Sequence, residues 1–186
     1  MKQKYITLFL IIMVFSNSGG MLAQSVWKKF SPPDQPFEVM TPVVMKNGEK
    51  KILTDLGQLF STTWMCQGEG DDPNFIYSLS YVDYPAGTFH ADSTALIDDF
   101  FNISVDTNIK NLGGTLVYKS DLPYGPHPGV IYRASYNNNG AVIKSRMMLI
   151  GDRFYALQVF TLSEKSLNPE MDRFLNSFKT GQTSLH

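Results

Sequence analysis

The sequence predicts an α+β domain in which two helices cover an antiparallel sheet. Three observations support this prediction. Segments with strand-type alternation follow one another without helices between them, which requires antiparallel pairing. In two other segments the apolar residues recur with the period of an α-helix, and each resulting apolar stripe must pack against another surface. Short turns rich in Asn, Gly and Asp join the last strands of the chain.

The chain opens with the layout of a secretory signal peptide. Lys2 and Lys4 precede the apolar run at 5–15, and small or polar residues follow at 16–20. A helix that crosses a bilayer needs roughly 20 apolar residues, so this run is too short for a spanning anchor. We therefore expect an exported protein, either periplasmic or fully secreted, without stable membrane insertion after cleavage.

We assign residues 1–23 to the signal peptide, with cleavage between residues 20 and 25, and residues 26–178 to one domain. The segment 179–186 has no apolar pattern and is predicted to be a flexible tail. Removing Lys2 and Lys4 lowers Lys+Arg from 16 to 14 against 17 Asp+Glu, so the net charge changes from −1 to −3. This mild acidity argues against a nucleic-acid partner, which would require a basic face.

Cys66 is the only cysteine, which excludes an intramolecular disulfide and a lipidated cysteine at the mature N-terminus. Strand alternation places it on one side of a strand with Phe60 and Trp64. The alternation predicts a buried, inert thiol, because free cysteine packs as a small hydrophobic residue. A reactive thiol or an intermolecular bridge is the alternative.

The N-terminal half is predicted to form short strands. Their ranges are 27–30, 37–40, 50–54, 59–67 and 75–82. Prolines punctuate the first two of these and exclude them from the centre of a sheet. The last is the clearest, since it alternates between a strongly apolar face and a mixed face. The apolar face consists of Phe75, Tyr77, Leu79 and Tyr81.

A helix is predicted after Asp92 or Ser93, either of which could cap its first amides. It ends near Gly113, a residue type that suits a helix C-terminus. Asp98 and Asp99 would lie early in the helix, where the dipole favours negative charge. The apolar stripe is broad and consists of Leu96, Ile97, Phe100, Phe101, Ile103 and Val105.

The C-terminal half is predicted as four more strands and a closing helix. The strand ranges are 115–120, 130–136, 141–150 and 153–162, and the turns at 137–140 and 151–152 make the last three a meander. Asn168 and Pro169 predict a helix start, as a cap followed by proline at the first helical position. The apolar face of this helix repeats at Met171, Phe174, Leu175 and Phe178.

A family resemblance rests on three segments. They are Phe37-Glu38-Val39-Met40-Thr41-Pro42, the hairpin at 151–159 and Arg173-Phe174-Leu175-Asn176-Ser177-Phe178. Together they resemble small exported domains with the fold of the photosystem PsbP subunit and the Ran-binding Mog proteins. The resemblance implies a curved antiparallel sheet of about six to seven strands flanked by two helices. It also implies a non-enzymatic accessory or binding protein, although no Ran-binding or photosystem signature is present to identify the partner.

The sequence contains no nucleophile elbow, phosphate-binding loop or zinc-protease motif. His90 and His127 are the plausible acid–base or ligand imidazoles, and each lies in a predicted loop. Loops on a rigid sheet often carry function, so the loops 83–92 and 121–129 are the predicted contact regions. The predicted ligand or partner contacts are Tyr84, Phe89, His90, Tyr124 and His127.

Two metal sites are the alternatives. Asp83, His90 and Asp92 could surround a metal, but their spacing matches no ligand rule, and a solvent-facing loop is favoured. An oxygen-rich cluster of Glu69, Asp71, Asp72 and Asn74 could take calcium, but it lacks the EF-hand order, and an acidic hairpin tip is favoured. We therefore predict no metal and no cofactor.

Three functions are compatible with these observations. The first, which we favour, is a non-catalytic exported domain that binds an unknown protein or a component of the cell envelope. The second is a carrier of a small apolar ligand between the sheet and the helix at 93–112. A related possibility is a cleft lined by the strand tyrosines 77, 81, 132, 136 and 155. The third is a hydrolase that uses His90 or His127.

Overall fold

The computed structural model describes residues 26–54, 56–90 and 93–181. Its main element is a seven-stranded antiparallel sheet with the strand order β3-β4-β5-β9-β8-β7-β6. The strands are β3 Lys46–Thr54, β4 Gly57–Gln67, β5 Asn74–Asp83, β6 Thr115–Asp121, β7 Gly129–Tyr136, β8 Ala141–Ile150 and β9 Arg153–Leu162. This confirms the predicted α+β class and the predicted antiparallel sheet.

A second sheet of three short strands lies beside the first. It consists of β1 Lys28–Phe30, β2 Phe37–Thr41 and β10 Lys179–Thr180 in the order β1-β2-β10. In β10, Lys179 pairs with Glu38 and Thr180 pairs with Phe37. The domain therefore continues two residues past the predicted end at 178, and the predicted frayed tail is wrong at these two positions because they gain a strand partner. The predicted signal peptide and residues 182–186 lie outside the described residues.

The two predicted turns of the meander form as expected. Asn137, Asn138 and Asn139 all have positive φ between β7 and β8. Asparagine tolerates this conformation better than most residues. Gly151 has φ +61° between β8 and β9. These local signals explain why the meander could be predicted from the sequence.

Helix α1, Thr94–Leu112, packs on the half of the sheet formed by β6 and β7. Its buried stripe has a strict four-residue spacing and consists of Ile97, Phe101, Val105 and Ile109. Leu96 and Ile103, which were predicted on the apolar face, are exposed. The side chain of Ser93 forms no capping hydrogen bond, and Asp98 and Asp99 lie beyond the first turn, so the predicted dipole contribution is absent.

Helix α2, Pro169–Asn176, covers the opposite face of the sheet. The Asn168 side chain accepts a hydrogen bond from the Met171 amide at 3.0 Å, which confirms the predicted cap. A single 3₁₀ turn, Ser163–Lys165, leads into this helix. Two cores result, one on each face of the sheet. α2 and the small sheet close the first, and α1 closes the second.

The predicted alternation of the strand at 75–82 fails at its first residue. A bulge between Asn74 and Ile76 shifts the pairing with β9, so Phe75 is exposed while Tyr77, Leu79 and Tyr81 are buried. Cys66 is buried beside Trp64, as predicted. Phe60 was predicted on the same side but is exposed, whereas its neighbour Leu59, on the opposite face of β4, is buried.

Candidate functional site

The two predicted contact loops meet at one end of the sheet and form a cleft of about 460 Å³ with the first residues of α1. We call it the loop cleft. One wall comes from the loop that follows β5, and the other comes from the loop between β6 and β7. Its lining residues are Phe89, His90, Thr94, Ile97, Asp98, Pro123, Pro126, His127, Pro128, Leu149 and Gly151.

The first wall is held in place by Asp152 from the turn between β8 and β9. Its carboxylate accepts hydrogen bonds from the backbone amides of Gly87, at 2.8 Å, and Phe89, at 2.9 Å. These two bonds lower the pKa of Asp152 below its usual range. The backbone carbonyl of Asp152 also accepts from the Tyr84 amide at 2.9 Å. One residue thus fixes three positions of the loop.

Aromatic packing supports the same wall from behind. Phe89 packs edge to face against Phe100 at 4.9 Å and against Tyr84 at 5.2 Å between ring centroids. Phe100 in turn contacts Phe154 of β9 at 5.1 Å. Edge-to-face pairs of this kind add about 1 kcal/mol each beyond their buried area. The Phe89 side chain is therefore anchored to the sheet rather than free in solvent.

The second wall is a proline-rich turn with its own backbone hydrogen bonds. Tyr124 and His127 exchange two of them, at 2.9 and 3.0 Å, across the positive φ of Gly125. Leu149 of β8 donates to the Pro128 carbonyl at 3.0 Å. Gly129 is required where the loop re-enters the sheet, since a Cβ there would lie 2.7 Å from the Leu122 carbonyl oxygen. Both walls are consequently preformed.

Arg146 ties the second wall to the far side of the sheet, a role that the sequence analysis missed. It is buried, and its guanidinium donates to the carbonyls of Pro123 and Leu175, each at 3.4 Å. The end of α2 presents partial negative charge to this cation. Burial lowers the pKa of Arg146. An arginine within a strand of apolar residues was the available signal, because a buried cation needs specific acceptors.

The structure separates the five predicted contact residues into two groups. Phe89, His90 and His127 line the loop cleft. Tyr84 lies behind Phe89 and is partly buried. Tyr124 faces the other core, where its ring is 5.6 Å from Phe178 and its hydroxyl accepts from the Thr180 amide at 3.2 Å. A contact role remains a prediction for all five, and Tyr124 is placed to support the wall from behind.

The structure also places the residues of the two metal alternatives. The Asp83 carboxylate is bound by the Arg153 guanidinium, with 2.8 Å between Oδ2 and Nη2. Asp72 accepts hydrogen bonds from the Tyr77 hydroxyl, at 2.7 Å, and from the Asn74 amide, at 2.9 Å. Within the described residues, which omit Asp92, no cluster of three or more His, Cys, Asp or Glu side chains could hold a metal. The carboxylates of Asp72 and Asp83 stabilise local structure.

Protein side chains occupy the space that the carrier hypothesis requires. Phe101 and Val105 of α1 are buried against Tyr132 and Ala134 of β7. Tyr77, Tyr132 and Tyr155 are fully buried, and burial raises the pKa of Tyr132 to about 12. These tyrosines are core residues rather than the lining of a cleft. The loop cleft lies at one end of this interface, where Ile97 and Leu149 contribute to its floor.

A larger cleft of about 970 Å³, which the sequence analysis did not predict, runs along β3 and β4. Its lining includes Lys28, Lys46 and Lys50, the exposed side chains of Val44 and Met65, and Cys66. Burial raises the pKa of the Cys66 thiol to about 11. The thiol is therefore almost entirely protonated at neutral pH, which agrees with the prediction that it is inert.

Comparisons with known proteins support the fold. No family model and no curated protein matches the chain. Among solved structures, the chain is similar to the cyanobacterial PsbP protein, CyanoP, of Synechocystis sp. PCC 6803, with a TM-score of 0.54 and 11% identity over 89% of this chain and 98% of that chain. It also matches PA94, a Pseudomonas aeruginosa protein of unknown function, with a TM-score of 0.43 and 11% identity over 77% of this chain and 88% of that chain.

The first of these matches shows that the chain has a PsbP-like α+β fold, as the resemblance implied. At 11% identity the likeness shows the fold alone. Within the described residues, no helix is long and apolar enough to cross a bilayer. The single cysteine leaves no possibility of a disulfide within the chain.

Proposed function

We propose that this protein is a non-catalytic exported domain that binds a protein partner, and that the loop cleft receives an apolar side chain of that partner. The supporting observation is the preformed cleft itself. Its floor is apolar, and its walls carry three prolines and the anchored Phe89 ring. A preformed cleft saves the ordering entropy that a flexible loop would lose on binding.

The chemistry of the rim suits recognition of a peptide segment. His90, Thr94, Asp98 and His127 surround the apolar floor and offer hydrogen-bond donors and acceptors. Protein interfaces commonly combine an apolar centre with a polar rim of this kind. The PsbP-like resemblance also implies an accessory or binding role. Export is part of the proposal and rests on the leader-like segment at residues 1–23.

Site-specific photo-crosslinking in the producing cell tests this proposal. A photoreactive amino acid replaces Thr94 or His127 at the cleft, or Thr107 on the exposed side of α1 as a matched control. We expect the two cleft positions to give the same adduct, identified by mass spectrometry, and Thr107 to give none. No adduct from either cleft position, or equal adducts from all three, would contradict the assignment of the cleft.

A further inference from the structure

The loop cleft has one acidic side chain among the residues that line it. These residues include Asp98 but no lysine or arginine. The other polar lining side chains are those of His90, Thr94 and His127. Asp98 is exposed, and within the described residues it forms no ion pair. A carboxylate therefore lies beside the apolar floor of the cleft without a partner among the described lysines and arginines.

Asp152 adds a second negative charge at the first wall. Its carboxylate accepts hydrogen bonds from the amides of Gly87 and Phe89, and Phe89 lines the cleft. These hydrogen bonds orient the carboxylate but do not cancel its charge, and they lower its pKa, so it is ionised at neutral pH. Two carboxylates therefore contribute negative potential at this end of the sheet.

Two positive features lie near the cleft, and neither replaces Asp98 as the full charge in its lining. The N-terminus of α1, at Thr94, carries about half an elementary positive charge, which is less than the charge of one carboxylate. Arg146 and Leu149 lie on opposite faces of β8, because side chains alternate along a strand. The Arg146 guanidinium, which donates to the Pro123 carbonyl, is therefore across the sheet from the Leu149 side chain in the cleft floor.

We propose that the partner segment carries a lysine or arginine beside the apolar side chain that enters the loop cleft, and that this cation pairs with Asp98. The inference rests on the proposed function and adds the charge of the bound segment to it. In an extended segment, residues two apart point to the same side and are roughly 7 Å apart, so one segment can fill the floor and reach the rim. An acidic segment would place like charges together at Asp98, which is unfavourable.

Charge reversal at Asp98 separates this pairing from a general preference for basic peptides. Asp98→Asn should weaken the binding of a peptide with an apolar and a basic residue about two- to fivefold, as expected for the loss of one ion pair. Asp98→Lys should weaken it by about tenfold or more, because like charges then meet. Asp99→Lys is the matched control, since it makes the same charge change at the next, exposed position of α1, which does not line the cleft. It should leave binding within about twofold of the parent chain.

Selection of random dodecapeptides displayed on phage tests the inference, with the chain as isolated after export as the immobilised target. Selection at pH 8, above the ordinary histidine pKa of about 6.5, leaves the carboxylate as the charged group of the lining. Thr94→Trp fills the cleft from an exposed position, so peptides that bind there lose their binding to this variant. We expect these peptides to combine an apolar residue with Lys or Arg within two positions. Selection on Asp98→Lys should enrich Asp or Glu in place of the basic residue.

The outcomes separate this inference from the proposed function. Thermal unfolding checks that each variant folds, and His127→Trp, which fills the cleft from the second wall, replaces Thr94→Trp if that variant does not. If no selected peptide depends on an open cleft, the cleft binds no peptide segment and both proposals fail. If cleft-dependent peptides show no basic preference, keep it with Asp98→Lys or lose it with Asp99→Lys, the charge assignment alone fails and the cleft remains a peptide site.

Discussion

The meander of β7, β8 and β9 and the outer part of the β3–β4 hairpin are both antiparallel hairpin structures, but they differ in what covers them. We call this outer part, residues 50–54 and 56–60, the arm. Helix α1 and the α2 core bury the meander from its two faces, and every residue of β8 is buried or half-buried. Among the described residues, the segments 51–54 and 57–60 of the arm pair only with each other. Of the apolar side chains in these segments, Leu59 is buried and Ile52 is half-buried, while Leu53 and Phe60 are exposed. The meander therefore carries stability, while the arm and the loop cleft carry surface that is available for binding.

The loop cleft shares one property with each of these two regions. Its residues are near the surface, yet its walls are tied to the meander through Asp152 and Leu149. The same strands that form the core thus position the cleft. The first wall is held by hydrogen bonds to Asp152 and by the packing of Phe89 on Phe100, and the second wall adds its own backbone hydrogen bonds to the one from Leu149.

The largest expected effect is in the meander. Leu157 of β9 is fully buried, so Leu157→Ala should lower the free energy of unfolding by about 3 kcal/mol, within the usual range for a buried leucine. Urea denaturation measures this change. The matched variant Leu53→Ala removes the same atoms from the exposed tip of the arm and should change stability by less than about 0.5 kcal/mol. Similar losses in both variants would show that the arm is packed.

A smaller effect is expected at the helix caps. Asn168 caps α2 and exchanges two side-chain hydrogen bonds with Asn74, at 2.8 and 3.1 Å. Asn168→Ala should lower the free energy of unfolding by about 2 kcal/mol, because the cap is lost and the buried Asn74 loses a partner. Ser93→Ala is the control, since the Ser93 side chain makes no capping bond. Equal losses in the two variants would argue against a specific role for the polar contacts of Asn168.

The sequence predicted the meander and α2 well because their signals are local. The asparagine turn at 137–140, the turn at 151–152 and the Asn168 cap each lie within a few residues of the structure that they specify. The small sheet could not be predicted in the same way. Its pairing of Thr180 with Phe37 joins opposite ends of the domain through only two residues of β10.

The same distinction applies to the candidate surfaces. Both contact loops were predicted from their proline and glycine content, but their meeting in one cleft follows from the strand order, which no local pattern encodes. Phe60 is exposed while Leu59, on the other face of the same strand, is buried, although β5 pairs with neither residue. Alternation specifies which residues share a face of a strand, but it cannot specify whether another element covers that face.

Asp152 provides a test of how the meander controls the loop cleft. Asp152→Asn has only one acceptor oxygen, so one of the Gly87 and Phe89 amides should lose its partner and exchange faster with solvent. Because the folded-state pKa of Asp152 is lowered, its stabilising contribution is complete above the ordinary carboxyl pKa near about 4 and is lost as pH falls through the lower folded value.

Nuclear magnetic resonance can follow both consequences. The amide resonances of Gly87 and Phe89 should shift together as pH falls below about 4, whereas an exposed helix amide with no carboxylate nearby in the sequence, such as that of Asn111, should not follow this transition. Unchanged amide exchange in Asp152→Asn would show that the aromatic packing of Phe89 holds the wall without the carboxylate.

The smallest expected effect is a difference in thiol reaction rate between two positions of β4, one buried in the sheet and one exposed on the arm. The pKa of Cys66 is raised to about 11 from 9.0, so at pH 8 its thiolate fraction is lower by about a hundredfold than for an unperturbed thiol. A less acidic thiol is intrinsically more nucleophilic, which offsets part of this difference. Burial adds a further barrier.

We therefore expect Cys66 to react with a thiol reagent at least about tenfold more slowly than a cysteine placed by Phe60→Cys in a Cys66→Ser background. Comparable rates would mean that β4 opens at Cys66 as readily as the arm, and the contrast between a covered sheet and an uncovered arm would then fail within one strand.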